Sequence, residues 1–322
     1  MAEKQTPRRK KIVFMGTPGF AASTLQQLID WDGCQVIGVY TQPDRPCGRG
    51  QVCRPSEVKT LALEKGLPIF QPVNFKEETD RQELADLHPD LLVVAAYGLI
   101  LPQSVLDIPL LGAINVHASL LPKLRGAAPI QRAIMNGDHV SGITIMQMEK
   151  GLDSGPILLQ LAMGIGIDDT AETLHDDLAE MGGKLLIEAL IKQNEKILHP
   201  MVQDNDLATY APKLQKSEGL VDWNRPAQKI HNQIRGLFPW PGTWFFWERR
   251  PGKTVKLTLY PGSIGDPVEQ GTAPGTFLGM RGDCLAIACK DREYLLPKVK
   301  PAGSKALDAK SFFCGYLNQG IC

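Results

Sequence analysis

"INVHASLLPKLRGAAPI" (residues 114–130) opens with apolar and polar residues in alternation, then turns through proline into glycine and alanine. Read as a strand, its period of two sends Asn115, His117 and Ser119 to one face and Ile114, Val116 and Ala118 to the other. An amide, an imidazole and a hydroxyl sharing a face make a site rather than a core. Asparagine offers a neutral N–H donor suited to a developing oxyanion, and imidazole moves protons near neutral pH.

Working outward, similar apolar runs recur at "KIVFM" (11–15), "QVIGVYT" (35–41), "LPIFQP" (67–72), "DLLVVAAYG" (90–98) and "GITIMQM" (142–148). Between them, residues 20–29, 55–65 and 127–136 carry a 3.6-residue apolar period. Nearly continuous apolar strands alternating with helices predict an α/β domain with a doubly wound, mostly parallel sheet covered on both faces. Ligands collect at the carboxyl ends of such strands, where the 115–119 stretch stands. A helical pattern from residue 170 to about 193 closes this domain.

At 322 residues the chain exceeds what one core usually serves, so two domains are expected. A polar stretch beginning at 192 reads as a connection, with residues 1–191 as one domain, 192–207 as the linker and 208–322 as the second domain. The second domain shows one helical segment (226–237), a "PWPG" corner (239–242) and short strands spaced by glycine and proline. That spacing predicts a small β-barrel. Residues 1–200 hold 19 Lys+Arg against 24 Asp+Glu, and residues 201–322 hold 16 against 11. The basic second half suits either a polyanionic partner or simple solubility, and charge alone does not choose.

Several chemistries lack their residues. "VFMGTPGF" (13–20) runs from strand to helix without the G-x-G-x-x-G spacing of a dinucleotide site. No G-x-S-x-G elbow offers a covalent nucleophile. The six histidines never fall at i, i+4, and the seven cysteines form no C-x-x-C pair, so no metal is expected and the cysteines read as reduced structural thiols. No apolar run approaches a membrane span, and the polar, basic start has no leader-like apolar segment, which points to the cytoplasm and no membrane partner. What remains is direct transfer. "GLDSGPI" (151–157) supplies Asp153 in a glycine-framed loop, where a carboxylate could fix the imidazole tautomer. An amide donor with a His/Asp pair suits attack of an amine on a carbonyl. The loop "TQPDRPCGRGQ" (41–51) carries Arg45 and Arg49, either gripping phosphate or a stacked base, or merely solvated.

Taken together, "INVHASLLPKLRGAAPIQRAIMNGD", "TQPDRPCGRG", "AAYGLILP" and "TIMQMEKGLDSGPIL" resemble the methionyl-tRNA formyltransferase family, in order and over nearly the whole chain. The resemblance implies a formyltransferase domain joined to a barrel of the oligonucleotide-binding type. It implies transfer of formyl from 10-formyltetrahydrofolate, as co-substrate and without a metal, to the α-amino group of methionine on initiator tRNA. On the matching positions it makes Asn115, His117 and Asp153 catalytic, and Ser119, Leu120, Leu121, Pro122, Tyr97 and Gly98 folate-binding. Arg45, Arg49, Lys213 and Lys216 fall to the tRNA, and a monomer is expected. Cys47 stands where the family commonly has alanine, and Gln51 where it commonly has lysine; the loss of the lysine weakens, without removing, the case for phosphate contact by that loop. A formyltransferase acting on a nucleotide-linked amino sugar shares the "HASLLPK" and "WPG" regions, and a non-catalytic folate- or RNA-binding module would dispense with the trio.

Overall fold

The computed structural model describes residues 9–47 and 52–317. The described chain divides into two compact units. One comprises the residues up to 129 together with 141–163 and 175–211; the other comprises 130–140, 164–174 and the residues from 212 onward.

The first unit is built on a seven-stranded sheet. Its strands lie in the order Ile157–Gly164, Val140–Gln147, Ala113–His117, Leu91–Ala95, Lys10–Gly16, Cys34–Tyr40 and Ile69–Phe70. Lys10–Gly16 pairs in parallel with both of its neighbours, and Leu91–Ala95 pairs in parallel with Ala113–His117. Val140–Gln147 runs antiparallel to Ala113–His117, bringing Thr144 opposite the histidine. Ile12 to Met15 and Leu91 to Ala95 are buried on both faces, which is why these strands read as unbroken apolar runs. The first strand ends at Gly16, where a Cβ would stand 2.5 Å from Ala21 Cβ and 2.9 Å from the Ala95 carbonyl oxygen. Only glycine lets the chain turn there into the helix Gly19–Asp30.

The helix Glu78–Asp86 escaped sequence reading because only Leu84 of its nine residues is buried, leaving no apolar stripe to detect. The loop around Arg45 also differs from expectation. Arg45–Cys47 and Val52–Arg54 form a two-stranded antiparallel ribbon that places Arg45 opposite Arg54. Residues 192–207, expected as a linker, are tied into the first unit. Met201 bridges Ile157, and Tyr210–Ala211, expected in the second domain, likewise belongs to the first unit, pairing in parallel with Arg125–Gly126. Polarity does not distinguish a solvated linker from a segment whose polar groups meet buried partners.

The second unit holds two four-stranded sheets in which every recorded pair is antiparallel. One contains Thr243–Arg250, Lys253–Leu259, Lys298–Pro301 and Leu307–Asp308; the other contains Ser263–Pro267, Arg292–Leu296, Cys284–Ala288 and Phe277–Arg281. Both contribute to one core, which includes Phe245, Leu257, Leu285, Ile287, Leu296 and Val299. Cys34, Cys284 and Cys289 are free thiols as expected. Cys314 departs from the reduced reading, being disulfide-bonded, because pairing depends on approach in space and not on sequence spacing.

The helix Ala227–Gly236 carries a buried polar chain within this unit. His231 is 2% exposed; its Nε2 lies 2.7 Å from the Ile167 carbonyl oxygen and its Nδ1 3.3 Å from the Tyr294 hydroxyl. Gly262 N–H donates to the same hydroxyl at 3.1 Å. Because a carbonyl only accepts, Nε2 bears the hydrogen and Nδ1 accepts from Tyr294. Desolvation by burial pushes the His231 pKa below its ordinary value of 6.5, outweighing the carbonyl that favours the charged ring. The folded state therefore binds this proton less readily than the unfolded chain, and stability falls as pH drops below about 6.5. The thermal midpoint should decline more steeply between pH 7.5 and 5.5 in the parent than in His231→Gln, whose side chain does not titrate. Parallel melting curves across that range would contradict the assignment.

Candidate active site

The strand Ala113–His117 is held between Leu91–Ala95 and Val140–Gln147, so its side chains alternate as the sequence requires. Val116 points to the helix Ala171–Asn194, where a Cβ on Gly182 would come within 3.0 Å of its Cγ1. Asn115 and His117 therefore face the opposite side, 9% and 5% exposed.

Asp153 reaches them from the loop after the strand Val140–Gln147. Its Oδ1 lies 3.5 Å from Asn115 Nδ2, and its Oδ2 lies 3.7 Å from His117 Nδ1. The same Oδ2 accepts a 2.8 Å hydrogen bond from Gly126 N–H, which anchors the carboxylate between the two side chains. His117 Nε2 is 3.1 Å from the Leu124 carbonyl oxygen. That oxygen accepts only, so Nε2 carries the hydrogen and Nδ1 faces the carboxylate. Tautomer control, expected from Asp153, thus lies with the Leu124 carbonyl. The neutral ring presents a lone pair at Nδ1, and the protonated ring finds an acceptor at each nitrogen. Protonation at Nδ1 therefore turns two facing acceptors into a donor aimed at the carboxylate.

The turn after the strand is closed by groups the sequence did not single out. Ser119 lies beyond the strand's end and spends its hydroxyl on the Lys123 carbonyl at 2.6 Å. Thr144 Oγ donates to the Ser119 carbonyl at 2.6 Å and accepts from Leu121 N–H at 3.1 Å and Gln160 Nε2 at 2.9 Å. Leu121 packs with Met146 and Ile157, and the Leu121–Pro122 bond is cis. Leu120 and Pro122 are half-buried. Ser119 to Pro122 thereby form a braced backbone turn rather than a row of free side chains.

Tyr97 is buried in the core of the first unit, and its carbonyl accepts from Thr17 Oγ and Gln42 Nε2, each at 3.0 Å. Gly98 is exposed beside it at φ +78°. Arg45 is exposed on the ribbon, whereas Arg49 lies outside the described residues. Lys213 and Lys216 are exposed in the second unit. Distances thus unite Asn115, His117 and Asp153. Among the described residues, no group of three or more His, Cys, Asp or Glu could hold a metal ion, and no helix is long and apolar enough to cross a membrane.

Gly126 is the position on which this arrangement leans most plainly. Its φ is +120°, and a Cβ there would stand 2.8 Å from the Ala211 carbonyl oxygen. Gly126→Ala should cost roughly 1–3 kcal/mol in backbone strain and pull its N–H away from Asp153. Turnover should fall at least tenfold while circular dichroism stays native; unchanged turnover would show that the N–H anchor is dispensable.

Comparison with known proteins places these features in company. Residues 10–190 match the formyl transferase family and residues 213–317 the formyl transferase C-terminal domain. The methionyl-tRNA formyltransferase of Nitratidesulfovibrio vulgaris strain DP4 is 59% identical over 314 residues, covering 97% of this chain and 95% of that protein. The methionyl-tRNA formyltransferase of Hahella chejuensis is 48% identical over 305 residues, covering 95% and 94%. Among solved structures, a HypX variant from Aquifex aeolicus superposes with a TM-score of 0.65 at 17% identity, covering 98% of this chain and 49% of that one. An N-formyltransferase of Helicobacter canadensis, in complex with folinic acid and dTDP-3-aminofucose, superposes with a TM-score of 0.64 at 17% identity, covering 90% and 99%. At these identities the superpositions speak for the fold.

Proposed function

The chain belongs to the methionyl-tRNA formyltransferase family, and from that premise we propose that Asn115, His117 and Asp153 carry its transfer of a formyl group from 10-formyltetrahydrofolate to the α-amino group of methionine on initiator tRNA. The observation that supports the assignment most is the single carboxylate of Asp153, within reach of both other side chains at the carboxyl end of a buried strand.

The chemistry follows from the donor set. The amine's lone pair attacks the formyl carbon, and the carbonyl oxygen becomes an oxyanion. Asn115 Nδ2, a neutral donor whose one partner among the described residues is a 3.5 Å contact, can turn to that oxygen. The amine loses a proton as the carbon–nitrogen bond to folate breaks, and the departing nitrogen gains one. His117 handles this proton, with the Asp153 carboxylate stabilising the charged ring. Two apolar side chains adjoin the site in sequence and stand open, Ile100 at 93% exposure and Leu152 at 62%, which suits a flat aromatic ligand beside exposed Gly98. Ser119 to Pro122 offer it a braced edge.

We assign tRNA contact to Arg45, Arg49, Lys213 and Lys216, whose described members are exposed. Catalysis falls to the domain through residue 191, and most of the sequence-independent tRNA affinity to residues 208–322. We take one chain to be the working unit, acting in the cytoplasm where its tRNA and folate substrates meet.

The test is to incubate the protein with 10-formyltetrahydrofolate and either methionyl initiator tRNA or a nucleotide-linked amino sugar. Formylation of the tRNA alone is expected, and formylation of the sugar alone would overturn the reading. Within that assay His117→Ala should slow transfer on the order of 10²-fold or more. Asn115→Asp sets a negative charge where negative charge develops and should cost about 3 kcal/mol of transition-state stabilisation, with substrate affinity changed far less. A folded His117→Ala enzyme of near-parental turnover would remove the ring from the mechanism. Affinity for tRNA should also fall steeply as salt rises.

A further inference from the structure

Asp153 occupies a conformation that its surroundings must impose. Its φ is +47°, the left-handed region that side-chain-bearing residues adopt at a cost. Gly126 holds its carboxylate, and a different residue holds its backbone. Gln203 Nε2 donates to the Asp153 carbonyl oxygen at 2.8 Å and to the Gly155 carbonyl oxygen at 2.7 Å. It thus grips the loop at two points two residues apart.

Gln203 is itself held. It is 5% exposed, and its Oε1 accepts from Arg125 Nε at 3.1 Å and Nη2 at 2.8 Å. Arg125 is 4% exposed, and its Nη2 also reaches Asn205 Oδ1 at 2.9 Å. Among the described residues this guanidinium has no carboxylate partner and makes no ion pair. One edge of the planar fork holds the amide oxygen through two N–H groups, which leaves the amide nitrogen pointing at the loop. A buried glutamine with every one of these bonds made is an alignment device of low mobility.

The same segment reaches the other side of the imidazole. Thr209 Oγ accepts from Leu124 N–H at 2.9 Å, and the Thr209 carbonyl accepts from Arg125 N–H at 2.9 Å. Leu124 supplies the carbonyl that meets His117 Nε2, and it too sits at positive φ, +59°. Residues 203–209 therefore support both partners of the ring.

We infer that Gln203, steadied by Arg125, is a positioning residue for the transfer reaction, acting through the backbone of the Asp153 loop and touching no substrate. The inference rests on Asp153 being catalytic as proposed above. Substitution should consequently affect turnover rather than binding, and only while the Asp153 carboxylate is there to be positioned.

Gln203→Glu is the discriminating variant. It keeps an oxygen for Arg125 but turns an acceptor toward two carbonyl oxygens, so the grip on the loop is lost while the buried guanidinium stays paired. In the formyl-transfer assay kcat should fall tenfold or more, with KM for tRNA and for folate within about threefold of the parent. The decisive measurement is a double-mutant cycle with Asp153→Ala. If Gln203 acts through Asp153, adding Gln203→Glu to Asp153→Ala lowers kcat by less than twofold further. Multiplying effects, or a Gln203→Glu enzyme within twofold of the parent, would overturn the inference while leaving the catalytic reading intact. Near-parental turnover by Asp153→Ala itself would overturn both. Should Gln203→Glu not fold, Gln203→Asn, which retracts the same amide by one methylene, enters the cycle under the same criteria.

Discussion

The proposed catalytic constellation depends on the hydrogen bond from Gly126 N–H to Asp153 Oδ2, at 2.8 Å. It joins the turn after the strand Ala113–His117 to the loop after its neighbour Val140–Gln147, and so sets where the carboxylate stands relative to Asn115 and His117. Each end is held in positive-φ backbone, Gly126 at +120° and Asp153 at +47°. One end is paid for by the absence of a Cβ, the other by the hydrogen bonds that surround it.

From this constraint the division of labour within the site follows. The sheet supplies rigid placement: Asn115 and His117 project from a strand paired on both sides and backed by a close-packed helix at Gly182. The loops supply the groups that must be aimed, and these are held by backbone and amide hydrogen bonds rather than by ion pairs. Thr144, opposite His117 in the register, braces the turn that contains the expected folate-binding residues. A reaction that moves a formyl group and one proton needs this kind of preorganisation more than it needs a strong acid or base.

The second unit solves a different problem. Its two antiparallel sheets enclose an apolar core, and its buried polar chain from Gly262 through Tyr294 and His231 to Ile167 is satisfied at every step. His231 illustrates how one residue type serves two ends. In the second unit the ring is kept neutral by burial and held between fixed partners, whereas in the first His117 faces a carboxylate across 3.7 Å.

Much of this was legible in the sequence by itself. Alternation in 114–119 put Asn115 and His117 on one face, because a strand's side-chain period admits no other arrangement. Apolar runs separated by helical periods announced the mostly parallel sheet, and short runs between glycines and prolines announced the antiparallel second half. What the sequence could not disclose is what depends on approach between distant segments. The antiparallel turn of Val140–Gln147, the Leu124 carbonyl on His117, and the capture of Gln203 by Arg125 across 78 positions have no local signature. Residues 192–207 read as a solvated linker because a polar segment looks the same whether water or a buried backbone takes its hydrogen bonds. Only the tertiary structure decides which, since a hydrogen bond is a property of two groups brought together and the sequence records each of them alone.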